Sequence, residues 1–407
     1  METTRFSSID AKSIQYWILL GGLALATLVG YLSAHHMDLQ GHHISGMNNQ
    51  IVWGFPHVVA IFLIVAASGA LNVASISSVF GKLDYKPLAR LSALLAIALL
   101  IGGLIVLVLD LGRPDRLIVA MTKYNFKSIF AWNIFLYTGF IVITGIYLWM
   151  MMERKMNKYS KPAGLAAFIW RLILTTGTGS IFGFLVARQA YDAAIMAPLF
   201  VIMSFAFGLA MFILVLQTSY KLTQRPLGDA MLMKLKRLLG IFVAAVFYFV
   251  FAHHLTNLYA TEHHGIERFI LFDGGIYTFL FWAVHIVLGC LIPLALIFIK
   301  PFNQSRSLTT IACLLVIIGG LAQLYVIIIG GQAYPLVLFP GMEVSSSFYD
   351  GVVAEYTPSI FEILLGLGGA SLALVIVTIG IAVLDFLPES LSDKALNLDS
   401  SNSAGSV

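Results

Sequence analysis

Charge is what this 407-residue chain lacks most. It has 24 Lys and Arg and 20 Asp and Glu, 11% of its residues, where a soluble domain carries roughly 25%. With 59% hydrophobic residues and a mean hydropathy of +0.91, there is more apolar surface than a water-soluble globule of this size can hide. The same scarcity excludes disorder over most of the length and a nucleic-acid-binding surface. Cysteine is almost absent too. Cys290 and Cys313 both lie in apolar runs, so there is no disulfide scaffold and no set of four thiolates for an iron–sulfur cluster in this chain. No gap between the apolar runs is long enough to hold a soluble catalytic domain.

What the chain does have is long apolar runs. A membrane span needs about 20 mostly apolar residues, and ten runs qualify, near 16–34, 52–79, 89–109, 129–151, 163–187, 198–219, 238–260, 274–299, 308–331 and 357–384. They are too long, and alternate too little, for the strands of a membrane barrel. The expected class is therefore an all-α polytopic membrane protein of about ten transmembrane helices. Arg5 and Lys12 precede the first run, which is longer than a usual signal core and has no clean cleavage site after it, so it reads as a retained anchor. The run at 163–187 is the weakest. It contains Arg171 and the TTGTGS patch at 175–180, and a break or tilt is expected there.

Ten spans place both termini on one side. That side carries 17 Lys and Arg and the opposite side 6, with Arg171 inside a span. The positive-inside rule then puts both termini in the cytoplasm of a multi-pass cytoplasmic (inner) membrane protein. The outer loops instead hold ten acidic residues against those 6 bases. The tail from about 386 is rich in Ser, Asn and Asp and is expected to be disordered.

All ten histidines fall toward the outer side: His35, His36, His42, His43, His57, His253, His254, His263, His264 and His285. Histidine titrates near neutral pH, and ionisable groups inside a membrane usually face protein or a wet cavity. The layer suits proton handling, although loop histidines also simply meet water and headgroups. The sharpest local string is LDLGRPDR at 109–116, in which Asp110 and Arg113 are close enough to pair at the hydrocarbon boundary. Tyr137 lies two turns inside the fourth run, at a depth where its hydroxyl would reach a quinone carbonyl, and Glu362 lies about one turn into the last run, where it would serve as a proton entry. A quinone ring asks for an apolar slot with a polar contact for each carbonyl, and residues 53–57, 110–113, 137 and 188 would together supply one. Haem ligation by His57, His254 or His285 is not expected, because nothing in their spacing compels it. Three readings stay open at this point: a quinone site, a proton or ion translocator using Asp110, His57, His254 and Glu362, and a structural anchor for redox subunits.

The W-G-x-x-H segment at Trp53–His57, the DLGRP at Asp110–Pro114 and the polar outer end of the fifth run resemble the NrfD/PsrC family of respiratory membrane subunits. The resemblance covers roughly residues 15–385. The strings GMNNQIVWG at 46–54 and EHHGIERF at 262–269 look most like its DsrP branch, which serves the DsrMKJOP complex of dissimilatory sulfur metabolism. The resemblance implies two four-helix bundles, 52–187 and 198–331. Around them stand an anchor helix with its outer loop at 1–51, an outer loop with the last helix at 332–385, and a tail at 386–407. It implies menaquinone or ubiquinone as the redox partner molecule, used near the outer face. It also implies an extracytoplasmic (periplasmic) iron–sulfur subunit and further cytochrome and membrane subunits, and the long, acidic outer side with its loops at 35–51 and 332–356 is the expected docking area. Trp53, His57, Asp110, Tyr137 and Arg188 would line the headgroup site, with His57, Asp110 and Arg113 acting on its protons. His253, His254, Glu262, His285 and Glu362 would form a proton relay. No metal ligands are expected.

Overall fold

The computed structural model describes residues 5–336 and 351–394. Ten helices in it are long and apolar enough to cross a membrane: α1 (Ile14–Gln40), α2 (Phe55–Ser78), α3 (Leu83–Leu109), α4 (Ile129–Met152), α5 (Asn157–Gly183), α6 (Met196–Leu222), α7 (Asp229–Tyr259), α8 (Ile276–Phe298), α9 (Arg306–Ala333) and α10 (Ile360–Val383). Each matches one expected run. In hydrocarbon every backbone amide must find its partner inside its own helix, so runs this long have little alternative. The fifth run departs from expectation. It winds without interruption from Ser160 to Gly183, because Arg171 is wholly buried, donates to Asn72 (2.9 Å) and lies over the rings of Phe168 and Phe205.

In chain order, helices α2–α5 make a first group and α6–α9 a second, and the two meet where α6 packs against α2 and α5. The contact is close because Gly69 of α2 and Gly208 of α6 lie against each other's helix: a methyl on Gly69 would strike the Ser204 carbonyl, and one on Gly208 the Gly69–Ala70 backbone. Helix α2 is buried almost along its whole length, which makes it the centre of the molecule. Helices α1 and α10 flank the first group. They cross where Gly30 meets Gly368, a small-residue contact of the kind that lets membrane helices approach closely.

The tail departs from expectation in part. Residues 386–394 are placed, with Leu387–Pro388 pairing antiparallel to Phe6–Ser7. Phe386, Leu387 and Leu391 are buried, and Tyr220 donates to the Pro388 carbonyl (2.8 Å). Three apolar side chains among the polar ones are enough to seat the segment. Residues 395–407, and the central part of the expected docking loop at 337–350, lie outside the described residues.

Candidate functional site

The start of α2 and the end of α3 build one end of the first helix group. Gly54 caps α2, and Pro56 sits in its first turn, where its missing N–H costs nothing. Gly54 is required: a methyl there would stand 2.5 Å from Glu362 Oε1 and 2.8 Å from the Tyr356 hydroxyl. This entry fixes His57 one turn into α2. Across from it, Asp110 closes α3 as its C-cap, at the helix end whose free carbonyls repel a carboxylate.

His57 Nδ1 and Asp110 Oδ2 lie 2.8 Å apart, with the Asp110 side chain fully buried and His57 18% exposed. The contact is close but not angled as a hydrogen bond. Both carboxylate oxygens and Nδ1 are buried without a hydrogen-bond partner among the described residues. Trp53 stacks over His57 with ring centroids 6.3 Å apart, and it also meets Phe130 of α4 and Phe182 of α5 at 6.0 and 5.9 Å. The arrangement is an aromatic wall above an unsatisfied, buried acid–imidazole pair.

Arg113 does not join Asp110. The expected pairing fails because Gly112, at φ +67°, turns the chain outward. Arg113 then donates twice to Asp115 (3.0 and 2.9 Å) on the exposed surface. That hydrogen bond, before any other cause, holds the Asp115 carboxyl below its ordinary value. Gly112 also faces the ring of His42, 3.3 Å from where its methyl would be. Tyr137 is buried two turns deeper on α4 than Phe130, with its hydroxyl toward Thr178. Arg188 serves as a clamp: it donates to the carbonyls of Gln332 (2.8 Å) and Gln50 (2.9 Å), tying the second helix group to the segment before Trp53. Its burial pulls the guanidinium below the ordinary arginine value. Glu362 is a cap. It completes a capping box with Ser359 and accepts from the Gly46 amide (2.8 Å) and the Tyr356 hydroxyl (2.7 Å). Burial and that bond push the Tyr356 phenol well up.

The second helix group holds a matching pair at the same end. His254 Nδ1 and Glu267 Oε2 lie 2.7 Å apart, both buried, and Asn257 donates to the other oxygen of Glu267 (2.8 Å). His253 is next to Asn257 (3.5 Å), and His285 Nδ1 lies 3.1 Å from the Gly319 carbonyl. Glu262, the expected relay acid, is exposed on the loop. Around this cluster the chain winds as π-helix in three places, Phe269–Asp273, Leu280–Leu291 and Val326–Gly330, a winding found most often where function displaces regular geometry.

Two residues at these sites were not visible in the sequence. Glu267 and Glu262 sit in the same loop string, and only the short helix His264–Arg268 turns one of them inward. Gln332 accepts from the Val52 and Trp53 amides (3.0 Å each) and donates to the Trp53 carbonyl (3.0 Å). A lone glutamine at the end of an apolar run was the available signal, but its partner lies far away in sequence.

Similarity to known proteins fits this geometry. Residues 43–335 match the family model described as polysulphide reductase, NrfD. The chain is 28% identical to the Hdr-like menaquinol oxidoreductase integral membrane subunit of Archaeoglobus fulgidus, covering 96% of this chain and 98% of that one. It is 26% identical to a putative dimethyl sulfoxide reductase membrane subunit of Halobacterium salinarum, over 93% of each chain. It is 22% identical to a selenate reductase subunit of Mesobacillus selenatarsenatis, over 84% of this chain and 87% of that one. The span covered by the family model includes both acid–imidazole pairs, and the chain belongs to the NrfD family of polysulphide-reductase-type membrane proteins.

Proposed function

We propose that this chain is the quinone-reactive membrane subunit of an electron-transfer complex, and that the headgroup binds between Trp53, His57 and Asp110. One observation carries the reading: a buried carboxylate and imidazole that leave three polar atoms without hydrogen bonds under an aromatic wall. Nδ1 and Oδ2 keep their electrostatic contact, but an Asp110 Oδ1 left without a hydrogen bond costs about 1–3 kcal/mol, a cost that a polar ligand removes. A quinol, when bound, supplies two electrons and two protons. His57 is placed to hold one of those protons on its ring, and Asp110 balances the imidazolium across 2.8 Å. Trp53 and Phe182, edge to face, form an apolar wall beside the pair, and Gln332 fixes the Trp53 backbone. With no redox centre expected in this chain, the electrons pass to a partner subunit. We take that partner to be an iron–sulfur protein on the outer face, within a complex that also has cytochrome and further membrane subunits.

The name of one relative, a menaquinol oxidoreductase membrane subunit, supports quinol chemistry. The basic side holding residues 5–12 and 385–394 is, on the positive-inside rule, the cytoplasmic one. Sulfur metabolism rests on the likeness of two short strings to the DsrP branch. The His253–His254–His285 group with Glu267 we read as a proton-holding cluster, since its carboxylate is already satisfied. The test is quinol-dependent reduction of the partner by the intact complex, with quinone retention measured in parallel. His57→Gln and Asp110→Asn are expected to abolish turnover and release bound quinone from an assembled complex. Unchanged turnover in both variants would leave only the anchor reading.

A further inference from the structure

On the face opposite the His57–Asp110 site lies a cavity of about 870 Å³ between α1, α6, α9 and α10. It follows from how α1 is attached. That helix packs along α10 and meets it at Gly30 and Gly368, in the half nearer the Asp110 side. Below the crossing, α1 stands away from α6 and α9. The walls of the gap are apolar, with Leu19, Leu23, Leu214, Leu314 and Leu374 among them. The rim is polar and holds Ser8, Ser13, Thr218, Gln224 and Arg225.

A space of this size inside a membrane does not stay empty, because its lining would lose dispersion contacts on one side. Its contents must match apolar walls half a bilayer deep and a polar rim at the membrane boundary. The rim also carries charge. Arg225 makes five hydrogen bonds, all to neutral oxygens of Ser7, Ser8, Leu387 and Pro388. Its positive charge is therefore fixed in place and not neutralised. Lys12 and Lys221 flank the rim, are exposed, and form no ion pair among the described residues. Asp10 is the one acid lining the cavity, and it is engaged by the Lys12 amide (3.0 Å).

We propose that this cavity is a binding site for an anionic phospholipid of the leaflet on the side of the placed terminal segments. The acyl chains lie between α1 and α6, and the phosphate sits at the Arg225 rim. Basic pockets between membrane helices take anionic headgroups in this way. The bound lipid completes the packing of α1, which otherwise leans mainly on α10. The site is independent of the quinone chemistry.

The experiment uses the full chain in nanodiscs of phosphatidylcholine doped with phosphatidylglycerol that carries a photoactivatable diazirine on one acyl chain. Adducts are expected at Leu23, Leu214 and Leu374, enriched about tenfold over Ile146, an exposed residue of α4 that samples bulk lipid. Leu314→Trp, which crowds the wall between α1 and α9, lowers the enrichment at Leu23 and leaves quinol turnover unchanged. Lys12→Gln and Lys221→Gln, both exposed, each lower the preference for phosphatidylglycerol over a phosphatidylcholine probe by about fivefold. Labelling at those three positions no stronger than at Ile146 overturns the proposal. So does recovery of quinone, or of a partner's helix, crosslinked there in place of lipid.

Discussion

The two helix groups carry the same chemical pair at the same end, and they treat it differently. In the first, Asp110 and His57 touch at 2.8 Å and both carboxylate oxygens lack hydrogen bonds. In the second, Glu267 has His254 on one oxygen and Asn257 on the other. A buried carboxylate whose lone pairs are filled holds the structure together, whereas one with open lone pairs asks for a ligand. The backbone differs in the opposite sense. The first pair sits on regular helix and a tight cap, and the second is surrounded by π-helical winding. The first group has a rigid frame around an unfinished site, and the second has a finished site in a displaced frame.

Exchanging charge for an amide in each group is the strongest way to test that contrast. Asp110→Asn or His57→Gln is expected to cut quinol-dependent turnover by about 100-fold or more, with little loss of assembled complex. Glu267→Gln breaks a satisfied buried pair. It should cost about 3–5 kcal/mol of stability, seen in thermal unfolding, while the surviving protein keeps turnover within about tenfold. If Glu267→Gln abolished turnover at normal stability, the second cluster would be a quinol site in its own right and the contrast would collapse.

A smaller effect is expected where the two groups are joined. Arg188→Ala releases the Gln332 and Gln50 carbonyls, so Trp53 loses its fixed backbone. A displacement of this kind is expected to lower turnover by about tenfold, with a rise in the apparent KM for quinol. Gly54→Ala should act similarly, through the clash with Glu362 and Tyr356. Arg188→Lys restores only part, since a single ammonium does not reproduce the two-armed contact. An unchanged KM in Arg188→Ala would mean that Trp53 is not part of the headgroup wall.

How much of this could be read in the sequence depends on the distance over which each feature is decided. The ten spans were legible because span length is set locally by the bilayer. Trp53, His57 and Asp110 were legible as residues, since each is unusual at its depth. Their gathering in one place was expected, but the direct His57–Asp110 contact was not, because it depends on the rotation of α2 against the end of α3. Local reasoning favoured Arg113 as the partner of Asp110, three residues away, and Gly112 turned it outward. The same limit hid Glu267 behind Glu262 and hid the capping contacts that Glu362 makes with Ser359, Gly46 and Tyr356. The acidic and aromatic inventory of the site was visible, but which atoms remain free was decided by contacts up to 316 residues apart, as for Gly46 and Glu362.

The smallest expected effect concerns Arg113, and it separates the sequence motif from the geometry. Arg113 and Asp115 are exposed, with side chains 65% and 61% accessible, so their bond orders a surface turn and little else. Arg113→Gln should change turnover by less than about twofold, against the large loss in Asp110→Asn. The pH response has a definite sign. Asp115 has a folded-state value lowered by the Arg113 hydrogen bond, so the support it gives is fully present above the ordinary carboxylate value of about 3.9. That support is lost only as pH falls through the lowered value. Amide hydrogen exchange over residues 113–122 should therefore show no pH-dependent loosening of the turn between neutrality and the ordinary value. Asp115→Asn should show a looser turn at every pH. Should Arg113→Gln instead stop turnover, the arginine must swing inward during catalysis, and the working site would include a group that the resting structure holds on the surface.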